Sequence, residues 1–358
     1  MVTGSFAGKP ARLLFVTGTP ATVRAGSGTY VGISVLRQAL VEAGHEVDLV
    51  APGGESAGIL SRLAFNLAAR QAASRGRYDA VVGFDLDGLF VSSGGAARIA
   101  SVKGVIADEL RFERGMTRLS MRLASKLEQV HVRRVGRVLT TSSYAAGRIA
   151  AEYGIEARKI HVVPEPIDLP RWDAALAACP PGQAGETAIL CVAHLYPRKN
   201  VVALLRAMKL LKSGAKLRVV GVGPELSRLQ ALARELALGN RVAFLEHLPF
   251  ELLVREYRSA SVFCLPSLQE GFGIVFLEAM ASGLPVVACK AAAVPEVVPD
   301  EECAILVEGG DVPAVARALD RLAGDVQERR RLGSAGRRRV ARYDAAAVAR
   351  QFLEAIGF

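Results

Sequence analysis

Near-continuous runs of Val, Leu and Ile recur along the first half of the chain, at Arg12–Gly18, Glu46–Ala51, Asp79–Phe84, Val102–Ala107, Arg137–Thr141 and Lys159–Val163. Between them apolar residues fall at helical spacing, for example in Thr29–Gly44 and Gly58–Arg75. Strands without polar alternation must be covered on both faces, and a helix between successive strands is the crossover a parallel sheet needs. The second half repeats the plan, with strands expected at Ala188–Ala193, Leu217–Gly221, Arg241–Leu245, Ser261–Leu265, Pro285–Ala288 and Ala304–Val307, and helices such as Val201–Leu211 and Glu225–Leu238. The pattern predicts an α/β chain with two parallel sheets.

The alternation breaks at Pro164-Glu165-Pro166-Ile167-Asp168-Leu169-Pro170-Arg171-Trp172 and again at Cys179–Glu186, which is rich in Pro and Gly. Prolines there stiffen a connection between two domains. The expected division is residues 1–168, a linker at 169–186, a second domain at 187–340 and a C-terminal segment at 341–358. A length of 358 residues suffices for two such cores, and 51% hydrophobic with 22% charged residues describes a globular chain. Charged residues interrupt every apolar run before it could span a bilayer, and the opening residues carry no apolar secretory core, so the expected location is the cytoplasm. Five widely spaced cysteines, Cys179, Cys191, Cys264, Cys289 and Cys303, show no zinc spacing and read as small buried hydrophobes.

The net charge of +10 is concentrated. Lys103–Arg148 carries ten Lys and Arg against four acids, and Asp320–Arg350 nine Arg against four. Such patches attract anions, whether nucleotide phosphates, lipid head groups or nucleic acid.

The most specific stretch is Ser267-Leu-Gln-Glu270-Gly271-Phe272-Gly273-Ile274-Val275-Phe-Leu-Glu278-Ala-Met-Ala-Ser-Gly283-Leu-Pro285. It reads as a strand end, a glycine turn and a short helix. Gly271 and Gly273 let a backbone approach a ligand, and a helix starting near Gly273 presents N–H groups that suit a phosphate. Glu270 on the turn and Glu278 inside the helix add hydroxyl acceptors. A ligand with both phosphate and hydroxyls is a nucleotide sugar.

The phrase EGFGIVFLEAMASGLPVVA closely resembles the E-x7-E signature of retaining glycosyltransferases of family four, which have the GT-B fold: two Rossmann-like parallel-sheet domains facing each other across a cleft. The resemblance implies that Glu270 and the amides of Gly271, Phe272, Gly273, Ile274 and Val275 hold the donor hexose and diphosphate, and that Glu278 holds the nucleotide ribose. It implies that the helix Ala345–Ile356 returns to the first domain. It also assigns diphosphate contacts to a G-R-L-x-x-x-K phrase. Its counterpart here is Ala193-His194-Leu195-Tyr196-Pro197-Arg198-Lys199, in which Lys199 matches the lysine while His194 stands in place of the arginine. Either Arg198 supplies the missing charge or His194 donates a neutral hydrogen bond.

Other candidates are weaker. Gly26-Ser27-Gly28 opens a helix after the first strand and matches a loop the family sets against the donor and acceptor, with Gly28 the better candidate. Gly221-Val222-Gly223-Pro224 lacks the third glycine of a dinucleotide fingerprint and fits a tight turn near the donor. His247 and Leu248 follow the strand where the family lines the nucleotide base. Where relatives carry a histidine after the fourth strand of the first domain, this chain has Ala107-Asp108-Glu109, so Asp108 is a candidate contact for the reacting sugar or a solvated side chain. Asp85-Leu86-Asp87 is a D-x-D pattern; within a GT-B layout it reads as a helix cap or acceptor contact, and no metal is expected.

Residues Met116–Arg133 place Arg118, Arg122, Lys126 and Arg133 on one helical face beside Leu119, Leu123, Leu127 and Val130. That profile fits a helix lying on an anionic membrane surface, as in some relatives that glycosylate lipids, or an ordinary helix with its apolar stripe in the core. The arginine runs 329–331 and 337–339 lack interleaved aromatics and read as an exposed face, with no nucleic acid expected.

Together these readings predict a metal-independent, cofactor-free retaining hexosyltransferase. Its donor would be a UDP-, GDP-, ADP- or TDP-sugar, and its acceptor a hydroxyl of a glycan, lipid or secondary metabolite. Catalysis would rest on Glu270, Lys199, Arg198 and Asp108. The competing classes are a GT-B epimerase or phosphorylase, or a non-catalytic basic protein at a membrane surface or on nucleic acid.

Overall fold

The computed structural model describes residues 9–19, 28–53, 58–73, 76–91, 94–180 and 187–358. It divides into two compact units, Met1–Pro166 with Ala345–Phe358, and Ile167–Asp344.

In the first unit the elements run β1 (Arg12–Val16), α1 (Gly28–Glu42), β2 (Glu46–Val50), α2 (Gly58–Ala73), β3 (Ala80–Phe84), β4 (Ala97–Val102), α3 (Ile106–Glu109), α4 (Gly115–Arg134), β5 (Arg137–Thr140), α5 (Ser143–Tyr153) and β6 (Ile160–Val162). All pairings are parallel, in the order β2-β1-β3-β4-β5-β6. The strand expected at Val102–Ala107 lies earlier, because Arg98 interrupts the apolar run in sequence while its strand is still paired on both sides.

The second unit runs α6 (Leu169–Ala178), β7 (Ala188–Val192), α7 (Val201–Leu210), β8 (Lys216–Val220), α8 (Leu226–Glu235), β9 (Val242–Leu245), α9 (Phe250–Ser259), β10 (Val262–Leu265), α10 (Ile274–Ala281), β11 (Val286–Cys289), α11 (Val294–Val297), β12 (Ala304–Val307), α12 (Val312–Gly324) and α13 (Val326–Arg339). Its sheet is parallel in the order β12-β11-β10-β7-β8-β9. That is the doubly wound arrangement in which the strand order reverses between β7 and β10. The strands β10 and β11 are buried at every position, as a sheet covered on both faces requires.

One further segment departs from expectation. Residues Leu169–Ala178, assigned to the linker, form a helix: Asp168 accepts from the Arg171 N–H at 3.0 Å, and Pro170 occupies the first turn, where its missing N–H costs nothing. Trp172 anchors this helix edge-on against Phe250 at 5.6 Å and Tyr257 at 5.5 Å. The last helix, α14 (Ala345–Ile356), belongs to the first unit, where Phe352 meets Phe15 at 5.8 Å and Val348 and Leu353 complete the same core.

In α4 the core-facing alternative is the one that fails, because the apolar stripe is not the buried face. Ser125, Glu128, His131 and Val132 point into the unit, while Met116, Leu119 and Leu123 are 78%, 58% and 50% exposed. Polar residues on the inward face are held by specific bonds: Glu128 accepts from the Ile106 N–H at 3.1 Å and from the Tyr153 hydroxyl. No helix among the described residues is long and apolar enough to cross a membrane.

Candidate functional site

In a doubly wound sheet the ligand crevice opens beyond the carboxyl ends of the strands at the point where the order reverses. In the second unit that point lies between β7 and β10, and it collects the loop after β7, the turn after β10 and the start of α10. The Leu268 N–H donates to the Arg198 carbonyl at 2.8 Å and the Asn200 amide to the Pro266 carbonyl at 3.2 Å, so the two loops are stitched together.

At their junction Lys199 Nζ lies 2.7 and 2.8 Å from the two carboxylate oxygens of Glu270, and the Ser267 hydroxyl donates to Glu270 Oε1 at 2.7 Å. The side chains of Lys199 and Glu270 are 14% and 6% exposed. Residues 71 positions apart in sequence thus form one charge-balanced, hydrogen-bonded cluster.

Helix α10 starts on the same turn as Glu270, at Gly273, which has φ +92° and carries no side-chain cap. A Cβ at Gly273 would stand 2.6 Å from the Phe276 ring, so only glycine fits the turn. Uncapped amides at a helix start form an anion site, and those here belong to Ile274 and Val275, since the Phe276 N–H donates to the Gly273 carbonyl at 3.0 Å. Phe272 is buried, edge-on to Tyr343 at 5.6 Å, and serves the core. Glu278, within α10, accepts from the Tyr257 hydroxyl at 2.7 Å; burial pushes its carboxyl up to about 7, with the Tyr257 bond acting in the opposite sense.

His194 and Arg198 come together on one residue the sequence reading passed over. The Tyr196 ring lies 4.4 Å from the His194 ring and 4.9 Å from the Arg198 guanidinium. Partial burial, and then the charges of Arg198 and Lys199, lower the His194 pKa, so its imidazole is neutral at pH 7. The aromatic between His194 and Arg198 was the available signal. Gly223 has a packing role: a Cβ there would fall 2.6 Å from the Leu195 amide, and one at Gly221 would fall 1.9 Å from the Ala193 carbonyl oxygen. These glycines let the β8 turn stack under the His194 loop, with the Leu195 N–H donating to the Val222 carbonyl at 2.8 Å. His247, exposed, and Leu248, half-buried, follow the edge strand β9.

The first unit has its own reversal point, between β1 and β3. Asp87, fully buried, accepts there from the Gly18 N–H, from Arg62 at 3.0 and 2.9 Å and from the Asn66 amide at 3.0 Å. Among the described residues the next element after it is the strand β4, so it caps no helix; it is the anchor of the turn after β1. Asp85 sits in the left-handed region at φ +56°, and burial raises its carboxyl to about 6. Arg62 and Asn66 carried no sequence signal. Asp108 is buried and engaged by the Tyr144 hydroxyl at 2.8 Å, Arg148 at 3.2 Å and Arg111 at 3.5 Å, a cluster tying α3 to α5. Gly28 begins α1; Gly26 and Ser27 lie outside the described residues.

Two family models match, "Glycosyl transferases group 1" over residues 181–339 and "Glycosyltransferase Family 4" over residues 26–171. An MMP alpha-(1->4)-mannosyltransferase of Mycolicibacterium hassiacum is 36% identical over 58% of this chain and 50% of its own length. A GDP-mannose-dependent alpha-(1-6)-phosphatidylinositol monomannoside mannosyltransferase of Mycolicibacterium smegmatis is 32% identical over 68% of this chain and 67% of its own length. The chain therefore spans between half and two thirds of these relatives. Among solved structures, a sucrose-phosphate synthase from Thermosynechococcus elongatus superposes with a TM-score of 0.82 over 96% of this chain and 98% of its own, at 23% identity, which establishes a common fold.

Proposed function

Because the chain belongs to the family-4 type of GT-B glycosyltransferases, we propose that it moves a hexose from a nucleotide diphosphate sugar to an acceptor hydroxyl with retention of configuration and without a metal. The observation that carries this reading is the Lys199–Glu270–Ser267 cluster at the β7/β10 reversal, beside the uncapped start of α10.

In the proposed reaction the bond between the anomeric carbon and the diphosphate oxygen breaks, and the acceptor oxygen bonds to the same face of that carbon. The acceptor proton passes to the departing phosphate oxygen. Lys199 and Glu270 balance one another, so they add little net charge. Stabilisation of the leaving diphosphate falls to Arg198 and the α10 amides, with Lys199 sharing its protons between Glu270 and phosphate. Glu270 accepts from hexose hydroxyls and Glu278 from the ribose. His194, neutral, donates a hydrogen bond where the family has a charge. Exclusion of water suppresses hydrolysis of the donor.

Among UDP-, GDP-, ADP- and TDP-sugars, GDP-mannose is the first donor to test, since one relative is a GDP-mannose-dependent mannosyltransferase. We further propose that the enzyme is cytoplasmic and docks peripherally on an anionic membrane face through α4. Supporting this is its outward apolar row, Met116, Leu119 and Leu123, along a groove of about 790 Å³ that Arg111, Arg122 and Lys126 also line. Release of nucleoside diphosphate from each donor, with and without Glu270→Ala, tests the enzymatic reading. Turnover that Glu270→Ala removes supports it; binding and turnover of none of the four donors contradicts it.

A further inference from the structure

Resting on that donor reading, we propose that Tyr257 is a positioning residue for Glu278, and that together they restrict the donor to ribonucleoside diphosphate sugars, excluding 2′-deoxy donors such as TDP-sugars.

Glu278 is partly buried, and among the described residues the hydrogen bond recorded to its carboxylate is the one from Tyr257, on Oε2. Among the described residues no cation pairs with it. An ionised carboxylate only accepts hydrogen bonds and repels phosphate, so the ligand chemistry it suits is a pair of neutral hydroxyls. Tyr257 is fully buried and has no freedom to leave: its ring packs edge-on against Trp172 at 5.5 Å and stacks on Phe263 at 5.8 Å. The same aromatic cluster fixes the backbone of Glu278. The Trp172 indole N–H donates to the Ser282 hydroxyl at 3.0 Å, and that hydroxyl donates to the Glu278 carbonyl at 2.9 Å. One carboxylate oxygen is thus committed to a rigid donor, while Oε1 has no protein donor among the described residues and is the acceptor assigned here to a vicinal diol. Ribose presents such a diol; 2′-deoxyribose does not.

The Tyr257 bond has a second consequence. Burial alone raises the Glu278 carboxyl and the tyrosine hydroxyl opposes that rise. Burial and the nearby Glu278 keep the Tyr257 phenol protonated, so it always donates. Without that hydroxyl, Glu278 holds its proton at neutral pH and loses one acceptor position.

The test is calorimetric titration of UDP, GDP and ADP, each against its 2′-deoxy counterpart, into wild type, Glu278→Ala, Tyr257→Phe and Trp172→Phe between pH 6 and 9. Tyr257→Phe keeps the ring and its stacking. Loss of one hydrogen bond to a charged group predicts about a tenfold weaker ribonucleotide affinity at pH 7, recovering toward higher pH. It also predicts collapse of the preference for ribose over 2′-deoxyribose. Trp172→Phe, which leaves the carboxylate bond intact, should keep that preference. If Glu278→Ala preserves the wild-type preference, or wild type binds none of the nucleotides, the donor reading itself fails. If Glu278→Ala abolishes the preference while Tyr257→Phe leaves both the preference and the pH profile unchanged, the positioning role is overturned and the donor reading stands.

Discussion

Lys199 and Glu270 each satisfy a charge that would otherwise be stranded in a mostly buried crevice, and that mutual dependence makes a residue-scale prediction. Truncating either one leaves its partner uncompensated. Lys199→Met or Glu270→Ala should lower stability by about 2–3 kcal/mol, the lower range because the crevice is open to water. The double substitution should cost less than the sum of the singles in chemical denaturation; simple additivity would show that the two side chains are not coupled. Glu128 makes a second prediction, from pH. Burial raises its carboxyl to about 8 in the folded state, so unfolding releases its proton over the neutral range. Its contribution to stability is complete below the ordinary carboxylate range and is lost as pH rises through about 8; Asp85, raised to about 6, acts in the same direction. His131, buried and pushed down to about 4, works oppositely: its contribution is complete above the ordinary imidazole value of 6.5 and is lost as pH falls toward 4. Glu128→Gln should therefore raise the melting temperature at pH 9 and change it little at pH 5. An equal shift at both would mean that the carboxyl is ionised throughout.

At the scale of elements, the strand and helix sequence was legible because buried parallel strands are apolar at nearly every position. The E-x7-E turn was legible because its spacing is local. What sequence could not supply was long-range pairing. Nothing near Glu270 points to Lys199 as its ion partner, and nothing near Glu278 points to Tyr257, 21 residues earlier on another helix. Leu169–Ala178 reads as linker when its prolines count as breakers, whereas Pro170 sits where a proline starts a helix. For α4 the sequence left two readings open, a surface helix or a core-facing stripe, and spacing could not choose between them: Leu119 and Leu123 are exposed while Glu128 and His131 occupy the core. Two elements carry tests. Gly273→Ala forces a Cβ against the Phe276 ring and tilts α10, so it should weaken nucleotide binding at least tenfold with the fold retained; unchanged affinity would dissociate the α10 amides from the ligand. Phe352→Ala opens a cavity between α14 and β1, and should cost the first unit about 3–5 kcal/mol. A cost under 1 kcal/mol would show that α14 is not integral to that core.

On the scale of the whole molecule, two parallel-sheet units each place charged side chains at a reversal of strand order, which is where a parallel sheet can expose polar groups without burying them unpaired. The exposed apolar row of α4 has no such internal explanation. Replacing Leu119 and Leu123 with serine, or Arg122 and Lys126 with glutamate, should abolish flotation with anionic vesicles while leaving nucleotide binding intact; wild type that fails to float would exclude membrane docking through α4. The central proposal, a retaining transferase working at Lys199 and Glu270, is tested most directly by following donor hydrolysis without acceptor by proton NMR. With GDP-mannose and the other α-linked nucleotide sugars in turn, the first sugar released is expected to be the α anomer, before mutarotation, and Glu270→Ala is expected to abolish its release. Initial release of the β anomer, or release that persists undiminished in Glu270→Ala, would contradict it.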